Sequence, residues 1–248
     1  QQVTIGTGVA AAAITDNDAF TISIANIAVT ETEASQTANF VATMSGVAEK
    51  DVVISFSTTA DTAAATTDFI AQTAATYTIK AGSTTVTIPV SVLGDLIAEP
   101  IESFTGTITI NNANSQQVTI GTGVGTATAT ITDNDAFTIS IANIAVTETE
   151  ASQTANFVAT MSGVAEKDVV ISFSTTAGTA TLTDFTAQTA ATYTIKAGES
   201  SVTIPVSILG DLIAEPIESF TGTITINNAN SQQVTIGTGV AAAAITDN

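Results

Sequence analysis

The chain of 248 residues contains no Cys, no His, no Trp and no Arg, and its only basic side chains are four Lys. Without thiol, imidazole or guanidinium groups it lacks most of the side chains that ordinarily act as nucleophiles and proton shuttles, so no enzymatic activity is expected. The absence of Cys also removes disulfides and thiolate metal sites. Stability must then come from core burial or from hard cations held by oxygen ligands. Four basic residues stand against 23 acidic ones, for a formal charge of -19. Nucleic acid and anionic lipid both need a basic surface, which excludes them as partners. No apolar run approaches the roughly 18 residues that span a bilayer, and no basic stretch followed by an apolar one opens the chain, so membrane insertion is not expected. Hydrophobic residues make up 44% of the chain, too many for a disordered polymer.

What the chain does have is repetition. Residues Ala19 to Ala60 recur unchanged as Ala136 to Ala177, and after a one-residue deletion the sequence from Phe69 recurs, with few changes, from Phe185. The segment Gln1 to Asn17 is identical to Gln232 to Asn248, whereas the middle copy, QQVTIGTGVGTATATITDN, differs from both. The ends therefore match each other better than either matches the middle. This predicts a window on a longer array: residues 1–18 close a preceding repeat, 19–135 form one repeat and 136–248 the next.

Within a repeat the apolar residues alternate. Phe20, Ile22 and Ile24 form one run, Val53 and the neighbouring Phe56 a second, Tyr77 and Ile79 a third, and Val86, Ile88, Val90 and Val92 a fourth. Period two with Thr and Ser between predicts strands that have one wet face. Lys80-Ala81-Gly82 and Lys196-Ala197-Gly198 read as hairpin turns. Pro89 and Pro205 fall inside strands, which should therefore be edge strands or bulged. With Phe104 to Ile110 and Val118 to Ile120, about seven strands are expected, an all-β, antiparallel two-sheet sandwich of immunoglobulin size.

The acidic residues cluster. Glu31 and Glu33 follow the first run, Asp68 lies mid-repeat, Asp95, Glu99 and Glu102 share LGDLIAEPIESF, and Asp133 and Asp135 close the unit. Glu148, Glu150, Asp184, Asp211, Glu215, Glu218 and Asp247 repeat the pattern. If these loops converge, the carboxylates repel one another unless a cation joins them, and calcium, with six to eight oxygens from flexible loops, suits them better than magnesium. A merely solvated acidic surface is the competing reading. The Asp-Asn-Asp run does not fit the EF-hand pattern.

The succession AVTETEASQTANFVATMSG, a Thr/Ala-rich stretch ending in TDF, YTIKAG, TVTIPVSVLGDLIAEPIESFTGTITI and a closing ITDND resembles the Calx-beta domain, over nearly the whole of both repeats. The resemblance implies immunoglobulin-like sandwiches, some of which bind calcium at their distal loops, found in tandem in sodium–calcium exchangers, integrin β4 and large bacterial surface adhesins. Matched position by position, it implies Glu31, Asp68, Asp95, Glu99, Glu102, Asp133 and Asp135 as metal ligands in the first repeat. In the second it implies Glu148, Asp184, Asp211, Glu215, Glu218 and Asp247. Calcium-binding members can carry an acidic doublet where this chain has Gly94-Asp95, and three acids where it has Asp133-Asn134-Asp135, so fewer ions or weaker binding are expected.

The leading expectation is a structural extender of an extracellular or cell-surface adhesin or fibre, whose partners are neighbouring repeats of the same chain or fibre. Asp133-Asn134-Asp135 runs directly into Ala136-Phe137 with no Gly/Ser linker, so adjacent domains should be closely coupled. A calcium-sensing regulatory pair is the alternative. A homopolymer in which residues 1–18 donate a strand to a neighbour is a third reading.

Overall fold

The computed structural model describes residues 11–15 and 17–247. The first unit runs β1 (Phe20–Ile24), β2 (Ile27–Thr30), β3 (Gln36–Met44), β4 (Val52–Ala60), β5 (Ala75–Ile79), β6 (Thr85–Val92), β7 (Ile97–Ala98), β8 (Glu102–Asn112), β9 (Val118–Ile120) and β10 (Thr126–Thr132). Its four-stranded sheet has the order β6-β3-β1-β9 and packs on a five-stranded sheet of order β2-β10-β8-β4-β5. The second unit repeats this with β11 (Phe137–Ile141), β12 (Ile144–Thr147), β13 (Gln153–Met161), β14 (Val164–Ala165), β15 (Val169–Ala177), β16 (Ala191–Ile195), β17 (Ser201–Ile208), β18 (Glu218–Asn228), β19 (Val234–Ile236) and β20 (Val240–Thr246). The equivalent sheets are ordered β17-β13-β11-β19 and β12-β20-β18-β15-β16.

Strict alternation drives the layering. Along β3 every second residue is buried, so Ala38, Phe40, Ala42 and Met44 face inward while their neighbours meet water. Phe40 and Phe56 approach from opposite sheets with ring centroids 5.4 Å apart, and Phe69 stacks on Phe104 at 4.2 Å. Burying each of these rings contributes about 2 to 3 kcal/mol, and the same quartet recurs as Phe157, Phe173, Phe185 and Phe220.

Several details differ from the sequence expectation. The inward parity of β4 is Val52, Ile54 and Phe56, and Val53 is only half-buried on the outer face. Lys80-Ala81-Gly82 is a turn, with Gly82 at φ 79°, but not a hairpin. It carries the chain from β5, at the edge of one sheet, to β6, at the edge of the other. The first and last strands are each split between the two sheets, as β1/β2 and β9/β10, which makes more strands than seven and adds two parallel pairings, β1 with β9 and β2 with β10. Pro89 and Pro205 do lie in edge strands, β6 and β17, where a missing N–H costs no ladder bond. Of the segment read as closing a preceding repeat, residues 1–10 and 16 lie outside the described residues, and residues 11–15 are exposed and in no strand.

Candidate metal centre

The register of the five-stranded sheet brings the acids to one end. β2 and β10 run parallel with Thr30 opposite Thr132, so both finish on the same rim and deliver Glu31 and Asp133 side by side. β8 is antiparallel to β10 with Glu102 opposite Ile131, so Glu102 opens β8 on that rim too. The β6–β8 connection adds Asp95 and Glu99, and the β4–β5 connection adds Asp68, whose carbonyl accepts from Leu93 N at 2.9 Å.

Carboxylate oxygens of Asp68, Glu99 and Glu102 all lie within 4.8 Å of one another. Glu31, Asp68, Glu99, Glu102 and Asp133 are each buried, with at most 7% of their surface exposed. Backbone donors hold the frame: Asp95 N donates to Glu31 Oε1 (3.2 Å), Glu99 N to Asp133 Oδ2 (2.8 Å), Asp135 N to Asp133 Oδ1 (2.8 Å) and Ile97 N to Asp95 Oδ1 (2.7 Å). Two buried oxygens of this site, Glu31 Oε2 and Asp135 Oδ2, have no hydrogen-bond partner among the described residues. A buried carboxylate oxygen without a donor is expensive, and the natural way to satisfy several at once is a cation.

Electrostatics agree with that reading. Two unit charges 4.8 Å apart repel by about 3.5 kcal/mol at an effective dielectric of ~20. Burial, and then the neighbouring carboxylates, push Glu99 up to about 9 and Glu31 up to about 7, although the Asp95 N–H opposes the rise at Glu31. Glu102 is pushed to about 8 by burial and by its hydrogen bond to Asp68. Without an ion, the centre keeps itself together by holding protons. The donor set is all oxygen on loops, which suits a hard divalent cation.

The second unit carries the same geometry. Oxygens of Asp184, Glu215 and Glu218 also fall within 4.8 Å of one another. Asp211 N donates to Glu148 Oε1 at 3.2 Å and Glu215 N to Asp247 Oδ2 at 3.0 Å. Here, however, Glu215 and Glu218 are only half-buried, Asp211 is exposed, and burial with the Asp184 contact raises Glu218 only to about 6.

The difference between the two centres is a neighbour. β7 of the first unit pairs in parallel with β14 of the second, Ile97 opposite Val164 and Ala98 opposite Ala165. Ala98 is fully buried and belongs to the hydrophobic core of the second unit. Ala98 O accepts from Glu166 N at 3.0 Å, and Gln233 Nε2 donates to Asp133 O at 2.6 Å. The second unit thus caps the first centre and brings Glu166 and its ion-pair partner Lys167 to it, close enough for both charges to act on Glu102. Glu166 Oε2 is the third buried oxygen without a partner. All thirteen residues anticipated from the sequence lie at these two rims, but Glu166 was missed, because the centre was read within one repeat. Its signal was the position of Val164-Ala165-Glu166-Lys167, in β14 and the turn after it, in the following repeat.

Gly94 explains one departure from the acidic doublet. A Cβ there would run into the carbonyl oxygen of Thr32, so no side chain fits beside Asp95 while the Glu31 loop stays in place.

Tandem two-sheet sandwiches, each ending in a cradle of loop carboxylates, define a class of immunoglobulin-like domains with acidic distal loops. The Calx-beta domain profile matches residues 15–135 and 132–248, and the chain belongs to the Calx-beta family. Among solved structures, it is similar to the crystal structure of CBD12 from CALX1.2 (16% identity, TM-score 0.41, 92% of this chain and 99% of that one). It is similar also to calcium binding domain CBD12 of CALX1.1 (16% identity, TM-score 0.40, 90% and 98%). A more distant likeness is to Escherichia coli alpha-2-macroglobulin activated by porcine elastase (11% identity, TM-score 0.31, 95% and 23%). No curated protein matches the sequence.

Proposed function

We propose that the chain is a non-catalytic extender segment of an extracellular or surface-displayed fibre, in which calcium bound at each domain end stiffens the joint to the next repeat. The observation that carries this reading is the first centre: buried, convergent carboxylates with an orphaned Glu31 Oε2, closed over by the following unit. An ion seated there neutralises repulsion among loops that also form the joint, so binding and joint rigidity are coupled. The directness of the Asp133-Asn134-Asp135 connection supports it, since Asp133 caps both its own loop and the backbone of Glu99.

Small-angle scattering of the whole chain, with calcium and after its removal, tests the reading alongside calorimetric titration. Calcium should be taken up and the maximum dimension should sharpen to that of a straight two-domain rod. No uptake at about millimolar calcium, a concentration at which even weak extracellular modules bind, together with unchanged scattering, overturns it.

A further inference from the structure

Glu166 and Lys167 belong to the second unit by sequence and to the first centre by position. Hydrogen bonds fix the backbone that carries them. Glu166 N donates to Ala98 O, directly before Glu99, at 3.0 Å, and Gly198 N donates to Ala165 O at 2.9 Å. The buried side chain of Gln232 clamps Lys167 from both sides, accepting from its N–H at 2.8 Å and donating to its carbonyl at 3.2 Å. The next residue, Gln233, donates from Nε2 to Asp133 O at 2.6 Å, so adjacent amides tie down the Glu166 segment and a loop of the first centre.

The two side chains are less confined. Of Glu166 34% is exposed and of Lys167 46%, which leaves each room to change rotamer while the backbone stays pinned. Glu166 Oε1 accepts from Lys167 Nζ, whereas its Oε2 is buried with no hydrogen-bond partner among the described residues. Glu31, only 3% exposed, has an orphaned Oε2 of the same kind within the centre. The hydrogen bond to Glu166, and then the charges of Glu166, Glu102 and Glu99, hold the Lys167 ammonium above its ordinary range, although partial burial opposes them. The cluster of Asp68, Glu99 and Glu102 thus has one further carboxylate at its edge, half committed to a cation of the chain itself.

We propose that Glu166 is a ligand supplied by the second unit to a divalent cation at the first centre, and that Lys167 is its holder in the ion-free chain. On entry of the cation Glu166 exchanges the Lys167 ammonium for the ion, and the ammonium turns to water through its exposed side. Because the Glu166 backbone is already bonded to Ala98, the exchange needs a side-chain rotation and no movement of the joint. Lys167 sets the affinity, since it competes with the ion for Glu166 and places a like charge beside it. The proposal rests on the reading of the first centre as a cation site and adds to it how the following repeat controls that site.

Titration calorimetry of the full chain with calcium chloride tests it, the step that Glu215→Gln weakens being assigned to the second centre. Glu166→Gln and Glu166→Asp should both weaken the first step by about tenfold, Asp keeping the charge but not the reach. Lys167→Met should tighten that step by about threefold, the scale of a partly exposed ion pair. In the double variant Glu166→Gln/Lys167→Met the gain should vanish, because the holder then has nothing to withhold. Wild-type affinity in Glu166→Asp, or a Lys167→Met gain that persists in the double variant, means that the pair acts only as charge at a distance and overturns the proposal. A loss of affinity in Lys167→Met means that the pair only props the loop, and overturns it too. No calcium uptake by the unaltered chain removes the cation reading and the exchange together; uptake with a first step indifferent to Glu166 removes the exchange alone.

Discussion

Raising the pH should lower the stability of the ion-free protein and widen the increment that calcium adds. In the ion-free protein Glu31, Glu99 and Glu102 have folded pKa values of about 7, 9 and 8, all above the ordinary 4.5. Groups that bind protons more tightly when folded contribute fully below about 4.5, and that contribution is lost as the pH climbs through the folded values toward about 9. The scale of the loss follows from the geometry. Asp68, Glu99 and Glu102 lie within 4.8 Å of one another, so ionising all three sets three pairs in repulsion at about 3.5 kcal/mol each. On the proposed reading calcium binds the ionised carboxylates, so its contribution should grow over the same window. At about 100 times its dissociation constant it adds about 2.7 kcal/mol, which for domains of this size is roughly 10 °C in melting temperature. Differential scanning calorimetry from about pH 5 to about pH 8 should show the ion-free melting temperature falling while the calcium-induced increment widens. An ion-free melting temperature that rises over this range, or an increment independent of pH, refutes the reasoning.

Glu99→Gln should raise the melting temperature of the ion-free protein near neutral pH, by removing the carboxylate that burial perturbs most, and should weaken calcium binding in titration calorimetry. Gly94→Ala should be severe, about 3 kcal/mol or more by chemical denaturation, because backbone stands in the way of its Cβ; Gly82→Ala, at φ 79° with nothing within 4 Å, should cost only about 1 kcal/mol. Glu166→Gln should lower calcium affinity at the first centre and leave the second unchanged, seen as a shift in one of two binding steps.

Much of the architecture was legible because it is written in period two. The runs at Phe20, Tyr77 and Val86 gave the correct faces, and Pro89 marked an edge strand, because a residue without an N–H has few places in a sheet. The run through Val53 failed for a local reason: Val52, Val53 and Ile54 are consecutive apolar residues, so alternation does not define which of them faces inward. The turn at Lys80-Ala81-Gly82 was mistaken for a hairpin because a Gly at positive φ reverses the chain equally well within a sheet or between two. Local sequence carries the turn but not the partner of the strand that leaves it.

The candidate metal centre divides in the same way. Its carboxylates were visible because loops that end on one rim of a sandwich repeat the same acids in both units. What no single repeat discloses is closure. Glu31 and Glu148 are equally buried inside their own units, yet Glu102 is buried and Glu218 is not. The two glutamates sit in identical sequence, ESFTGTITINN, so the difference cannot arise from the residues around them in the chain. It arises because Val164-Ala165-Glu166 lies over the first, whereas among the described residues no equivalent pairing covers the second. On the proposed reading, the binding properties of each candidate centre are therefore set by the unit that covers it. Two sites of the same local sequence should differ in affinity whenever only one of them is covered by a neighbouring unit.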